Sequence, residues 1–127
     1  MFLYPKGHKI YEGHLKPFSE DEVSRLRAQI DALVDGRRRI IVWGIGTHTS
    51  RLMATSRLAE ADIVAFIESN SRYHGKTLHG RPILAPAALK DHREPVLISS
   101  RVFEKEIAEQ IRHDLGCSNE LILLYHV

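Results

Sequence analysis

The sequence predicts an α/β fold of three layers, with a mostly parallel sheet of about five strands and an extra N-terminal helix. Three observations carry that expectation. The apolar runs Ile40–Trp43, Ile63–Ile67 and Val96–Ile98 are continuous rather than alternating, the pattern of strands covered on both faces. Helical periodicities separate these runs, so each pair of strands is joined by a crossover. The first run stops at Gly44-Ile45-Gly46 and a helical pattern follows at once, which places a G-x-G turn between a strand and a helix. Right-handed crossovers then give the sheet order 3-2-1-4-5, a Rossmann-like domain whose ligand crevice lies outside the carboxyl ends of the strands.

Residues 1–18 mix Pro, Gly, His and aromatics without a period and are expected to form an irregular arm; residues 19–127 are expected to form one domain. Leu3, Tyr4, Ile10, Tyr11 and Phe18 make the arm too apolar for a disordered tail. Ser19 and Glu22 form a capping box, and Val23, Leu26, Ile30, Leu33 and Val34 give the following helix one apolar face before Gly36 ends it. After the glycine turn, Leu52, Met53 and Leu58 form the apolar side of the first crossover helix. The second strand ends at Glu68-Ser69-Asn70, and residues 71–81 read as a polar loop punctuated by Gly75 and Gly80. Arg81–Leu84 supplies a short third strand, Ala85–Leu89 a short helix with Pro86 in its first turn, and Pro95–Ser99 the fourth strand. Phe103, Ile107, Ile111 and Leu115 recur every fourth residue in the last helix, Gly116 stops it, and Leu121–Leu124 is the fifth strand.

Composition narrows the function. The chain has 127 residues, 43% hydrophobic and 27% charged, which suits one globular domain with a core of its own. A formal charge of +2 is too small to point to nucleic acid without a basic stripe, and the one basic run, Arg37-Arg38-Arg39, reads as a solvated strand approach. Cys117 is the single cysteine, so no disulfide forms within the chain and a reducing compartment is expected. No segment reaches the roughly 18 apolar residues of a membrane span, and no signal-peptide core is present, so the expected location is cytoplasmic. Eight histidines show no H-x-x-x-H pair and no acidic cluster beside them, so no metal site is expected.

The candidate binding residues cluster at the predicted strand ends. Gly44 permits the tight turn and Gly46 lets a phosphate approach the backbone, where the helix N-terminus offers unpaired N–H groups. Thr47, His48 and Thr49 fill the first helical turn; their side chains either serve the helix or touch an anion. Arg51 opposes the helix dipole there, a penalty that a bound anion removes. Glu68 stands 22 residues beyond Gly46, at the end of the second strand, where a carboxylate accepts both hydroxyls of a ribose. Ser99, Ser100 and Arg101 follow the fourth strand across the crevice, two hydroxyls and a cation suited to a phosphate or a sugar. No catalytic acid–base pair can be assigned.

Taken together, Val-Trp-Gly-Ile-Gly, Ala-Phe-Ile-Glu-Ser-Asn, His-Gly-Lys-Thr-Leu-His-Gly-Arg-Pro-Ile and Pro-Val-Leu-Ile-Ser-Ser resemble a group of small Rossmann-like domains. These accompany sugar-modifying proteins: the N-terminal domain of nucleotide-sugar acyltransferases, the cofactor domain of membrane sugar epimerases, and the C-terminal domain of sugar and natural-product methyltransferases. The resemblance spans about Arg39 to Tyr125, and its most specific part is the second-strand acid followed by Gly75-Lys76 through Gly80-Arg81-Pro82-Ile83. It implies that Gly44, Gly46 and Glu68 hold a nucleotide-sugar. Two features depart from the group: Thr49 stands where a third glycine or small residue is usual, and the chain carries neither an acyltransferase β-helix nor a methyltransferase domain.

Three functions are therefore compatible with the sequence. The first is a module holding a nucleotide, nucleotide-sugar or sugar phosphate for a partner enzyme. The second is part of an NAD(P)-dependent oxidoreductase or epimerase, or of an S-adenosylmethionine-dependent methyltransferase. The third is a protein-interaction module with a vestigial site. The lack of an acid–base pair favours the first.

Overall fold

The computed structural model describes residues 17–125; the expected N-terminal arm lies outside them except for Pro17 and Phe18. Helix α1, Glu20–Asp35, starts where the capping box places it. The Ser19 Oγ accepts from the Glu22 N–H at 3.2 Å, and the Glu22 carboxylate accepts from the Ser19 N–H at 3.1 Å. Those bonds hold the Glu22 carboxyl below its ordinary range. Leu26, Ile30 and Leu33 are the buried stripe. Gly36 ends the helix from a right-handed conformation, and the left-handed residue is the next one, Arg37, at φ 51°.

The sheet has six strands: β1 Arg39–Trp43, β2 Asp62–Ile67, β3 Thr77–Leu78, β4 Arg81–Leu84, β5 Val96–Ile98 and β6 Leu121–Leu123, in the spatial order β3-β4-β2-β1-β5-β6. The five expected strands are parallel to their neighbours. The sixth is a correction: within the polar loop, Thr77 and Leu78 turn back and pair antiparallel with Pro82 and Arg81, which makes the sheet mixed. The residues between them allow this hairpin because His79 and Gly80 both adopt left-handed φ, 49° and 76°.

One irregularity sets which side chains face which layer. Ile40 pairs with Ile63 but Ile41 pairs with Ala65, so Val64 is an extra residue in β2. Ile63 and Phe66 consequently share a face with Ile40 and Val42, although their spacing is odd. That face packs against α1 and helix α2, Thr47–Thr55. The opposite face, with Ile41, Trp43, Ile67 and Ile98, packs against helix α3, Glu104–Glu109. The result is three layers with a core on each side of the sheet.

Helix α3 is shorter than the fourfold apolar repeat implies, because it widens into a π-helical segment at Gln110–Asp114. The Leu115 N–H bonds to the Gln110 carbonyl five residues back. An apolar residue at every fourth position outruns a turn of 3.6 residues, and the wider turn keeps Ile111 fully buried. Residues 86–91 form a 3-10 helix in place of the expected short α-helix. The basic run is also tied down: Arg38 bonds Glu120, just before β6, at 2.8 Å, and Arg39 approaches Asp62 of the neighbouring β2 at 3.7 Å.

At the carboxyl end of β1 the chain turns through Gly44 at φ 119°. A Cβ there would lie 3.0 Å from the Ser99 carbonyl oxygen and 3.4 Å from the Thr49 hydroxyl. Gly46, at φ −81°, is the N-cap of α2 and adopts a conformation open to other residues. Gly44→Ala is therefore expected to lower unfolding stability by about 1–3 kcal/mol, with Gly46→Ala costing less. Urea unfolding of both variants checks this; equal costs would show that Gly44 is not the constrained position.

Candidate functional site

A cavity of about 560 Å³ opens at the carboxyl ends of β1 and β2. Trp43 and Gly44, where β1 ends, contribute one side of it. The loop after β2, Glu68 to Ser71, contributes a polar wall, and α3 contributes Phe103, Glu106, Ile107 and Gln110. The sheet thus brings together two of the sequence-predicted residues, Gly44 and Glu68. Volumes of this size are typical of small-molecule sites.

Glu68 is held rather than loose. It is 5% exposed, and its carboxylate accepts the Asn70 N–H at 2.9 Å. Its own N–H donates to the Leu84 carbonyl, and its carbonyl oxygen lies 2.6 Å from the His74 Nε2. Asn70 in turn accepts from the Arg72 N–H at 3.0 Å, which shapes the short 3-10 turn Ser71–Tyr73. These bonds fix the Glu68 carboxylate on the wall of the cavity.

The other predicted residues fall into two further groups. Thr49 and Ser99 are buried, 1% and 2% exposed. The Thr49 hydroxyl donates to the Gly44 carbonyl at 2.9 Å and lies 2.7 Å from the Ser99 hydroxyl. Because the single Thr49 proton is committed to Gly44, the Ser99 hydroxyl donates to Thr49. Ser100 accepts the Phe103 N–H at 3.0 Å and shapes the approach to α3. These three residues build the strand ends.

The second group surrounds Tyr125. His48 bonds the Tyr125 hydroxyl and meets its ring edge-on, with centroids 5.3 Å apart. Phe18 stacks on Tyr125 at 5.4 Å, and the Arg101 guanidinium sits 3.9 Å from the Phe18 centroid. Glu104, fully buried, accepts the backbone N–H groups of Leu124 and Tyr125. Thr47 and Arg51 are exposed on α2.

Sequence reasoning missed the α3 wall. The signal was available: Glu106 and Gln110 accompany the apolar stripe of Phe103 and Ile107 at helical spacing, so one polar edge of that stripe faces the same side. Trp43 was assigned to the core alone. Among the described residues, no group of three or more His, Cys, Asp or Glu is placed to hold a metal ion, and no helix is long and apolar enough to cross a membrane.

Comparison with known proteins gives two matches. Residues 36–123 match the sequence profile of the family described as C2185-like, N-terminal. The structure is similar to the crystal structure of UDP-D-quinovosamine 4-dehydrogenase from Vibrio fischeri, with a TM-score of 0.50 and 25% identity, over 68% of this chain and 76% of that one. Both the six-stranded α/β architecture and this likeness make the fold Rossmann-like. No curated protein matches the chain.

The Tyr125 cluster has a measurable consequence. Burial, with the Glu104 carboxylate next in size, pushes the Tyr125 phenol well above its ordinary range. The folded state thus favours the neutral phenol. Its contribution to stability is complete below the unfolded pKa of about 10 and is lost as pH rises above it. The stability difference between the parent and Tyr125→Phe is expected to narrow above that pH, as read by denaturant midpoints; a constant difference would contradict the burial of the phenol.

Proposed function

The chain belongs to the C2185-like, N-terminal family, and we propose that it is a binding module that holds a nucleotide or nucleotide-sugar for a sugar- or natural-product-modifying enzyme. One observation carries this reading: the cavity at the carboxyl ends of β1 and β2 has the glycine turn on one side and the fixed carboxylate of Glu68 on another. In open α/β sheets ligands bind outside the carboxyl ends of the strands. The likeness to a UDP-sugar dehydrogenase supports the ligand class.

In this reading Glu68 accepts the two hydroxyls of a ribose. Gly44 and Gly46 keep the turn free of side chains, so phosphates approach the N–H groups at the start of α2. Thr47 and Arg51 are assigned to the phosphate side. Thr49, Ser99 and Ser100 position the turn, whereas His48 and Arg101 hold Tyr125 and Phe18 beside it. The module is placed in the cytoplasm with a partner enzyme domain and no nucleic acid. The structural neighbour also favours a second reading, part of an NAD(P)-dependent oxidoreductase, because that neighbour is a dehydrogenase.

Calorimetric titration with a UDP-sugar, NAD and NADP tests the site. Ligands with a free ribose diol are expected to bind, and NADP to bind weakly, because its 2′-phosphate meets the Glu68 carboxylate. Hydrogen bonds to a charged group contribute roughly 1.5–3 kcal/mol, so Glu68→Gln is expected to weaken binding on the order of tenfold or more and to lessen the discrimination against NADP. The amide oxygen of the variant can still accept the Asn70 N–H, which preserves the loop. A parent that prefers NADP would overturn the ribose assignment and favour the oxidoreductase. A parent that binds none of the three at millimolar concentration would favour an interaction module.

A further inference from the structure

We propose that His74 is a positioning residue for the bound ligand: its Nε2–H holds the Glu68 carbonyl and so sets the course of the polar wall, Glu68 to Ser71, along the cavity. Its effect on affinity rests on the nucleotide-binding reading, whereas its effect on the wall does not.

The need for such a residue arises where the ladder between β2 and β4 stops. Phe66 pairs with Ile83 and Ile67 with Leu84, in parallel. One step further on, the Glu68 N–H donates to the Leu84 carbonyl at 3.0 Å, which sets Glu68 opposite Ala85. In a parallel ladder a residue donates to the one before its partner and accepts from the one after it. The residue after Ala85 is Pro86, which has no N–H to give. The backbone ladder thus ends at the residue where the cavity wall begins. Glu68 is buried there, and a buried carbonyl requires a donor.

The His74 side chain supplies one from six residues on. A carbonyl oxygen only accepts, so at 2.6 Å it is the imidazole Nε2 that carries the hydrogen. The backbone around His74 is itself anchored to β4. The Gly75 N–H donates to the Ile83 carbonyl, and the Ile83 N–H donates to the Lys76 carbonyl. Within the short turn the Tyr73 N–H bonds the Asn70 carbonyl and the His74 N–H bonds that of Ser71.

The side-chain bond therefore closes a ring of chain from Glu68 to His74, and the residues it encloses, Ser69, Asn70 and Ser71, line the cavity. Inside the ring the Asn70 N–H donates to the Glu68 carboxylate at 2.9 Å. One imidazole thus braces the backbone that carries the carboxylate and the lip beside it. A wall ordered before the ligand arrives lowers the cost of ordering it on binding.

Two variants of the full chain test this. His74→Leu removes the donor and keeps apolar bulk, while His74→Gln carries an amide N–H at about the reach of Nε2. His74 is half-buried, so both are expected to fold, and their urea midpoints check this. In His74→Leu the Asn70 amide is expected to exchange hydrogen on the order of tenfold faster, with the amides of α1 and β1 unchanged. UDP-glucose and NAD are expected to bind that variant on the order of tenfold more weakly by calorimetric titration, and His74→Gln to restore both readouts to within about threefold of the parent. Parent-like affinity in His74→Leu would overturn the proposal, and so would equal losses in the two variants or faster exchange spread evenly over α1 and β1. A parent that binds neither ligand would overturn the nucleotide-binding reading and the affinity effect with it. The Asn70 exchange rate would still decide whether His74 holds the wall.

Discussion

The buried hydroxyl of Thr49 is the interaction on which the carboxyl edge of the sheet depends. It joins three elements at one point: the Gly44 carbonyl after β1, the Ser99 hydroxyl after β5, and the first turn of α2. Around it the ladder continues past the strands, with the Gly44 N–H donating to Ile67 and the Ser99 N–H to Trp43. The approach is close enough that no side chain fits at Gly44 without displacing Ser99. A glycine in the place of Thr49 would allow closer helix packing but would leave the Ser99 hydroxyl without this partner. The threonine exchanges a tighter contact for a polar lock.

That lock separates two environments. On the α3 side of the sheet, beside Trp43 and Ile107, the cavity is open. Around Tyr125 the space is filled by Phe18, His48 and Arg101, held by stacking, a cation over a ring and a hydrogen bond. Glu104 completes this filled side by accepting the backbone N–H groups of Leu124 and Tyr125. Residues that sequence reasoning grouped as one binding crevice are thus divided between a ligand-sized space and the structure that braces it.

Much of this was legible from residue order. Continuous apolar runs located the central strands, the Ser19–Glu22 pair located the start of α1, and the position of Glu68 after the second run located the carboxylate at the cavity. Each of those signals is local. What could not be read depends on pairing between distant segments. The β3 strand is two residues long and exists because His79 and Gly80 turn the chain back onto β4. Val64 becomes an extra residue only against the register of β1. The role of Thr49 needs Ser99, fifty positions away, and the α3 wall becomes part of a site only once the fold lays it over the ends of β1 and β2.

The most direct measurement is a crystal structure of the chain with a UDP-sugar bound at saturating concentration. The expected result is a nucleoside in the cavity, with the ribose hydroxyls within hydrogen-bonding distance of the Glu68 carboxylate and the phosphates toward Gly44 and Gly46. A nucleotide bound elsewhere on the surface, with the cavity beside Glu68 left empty, would contradict it.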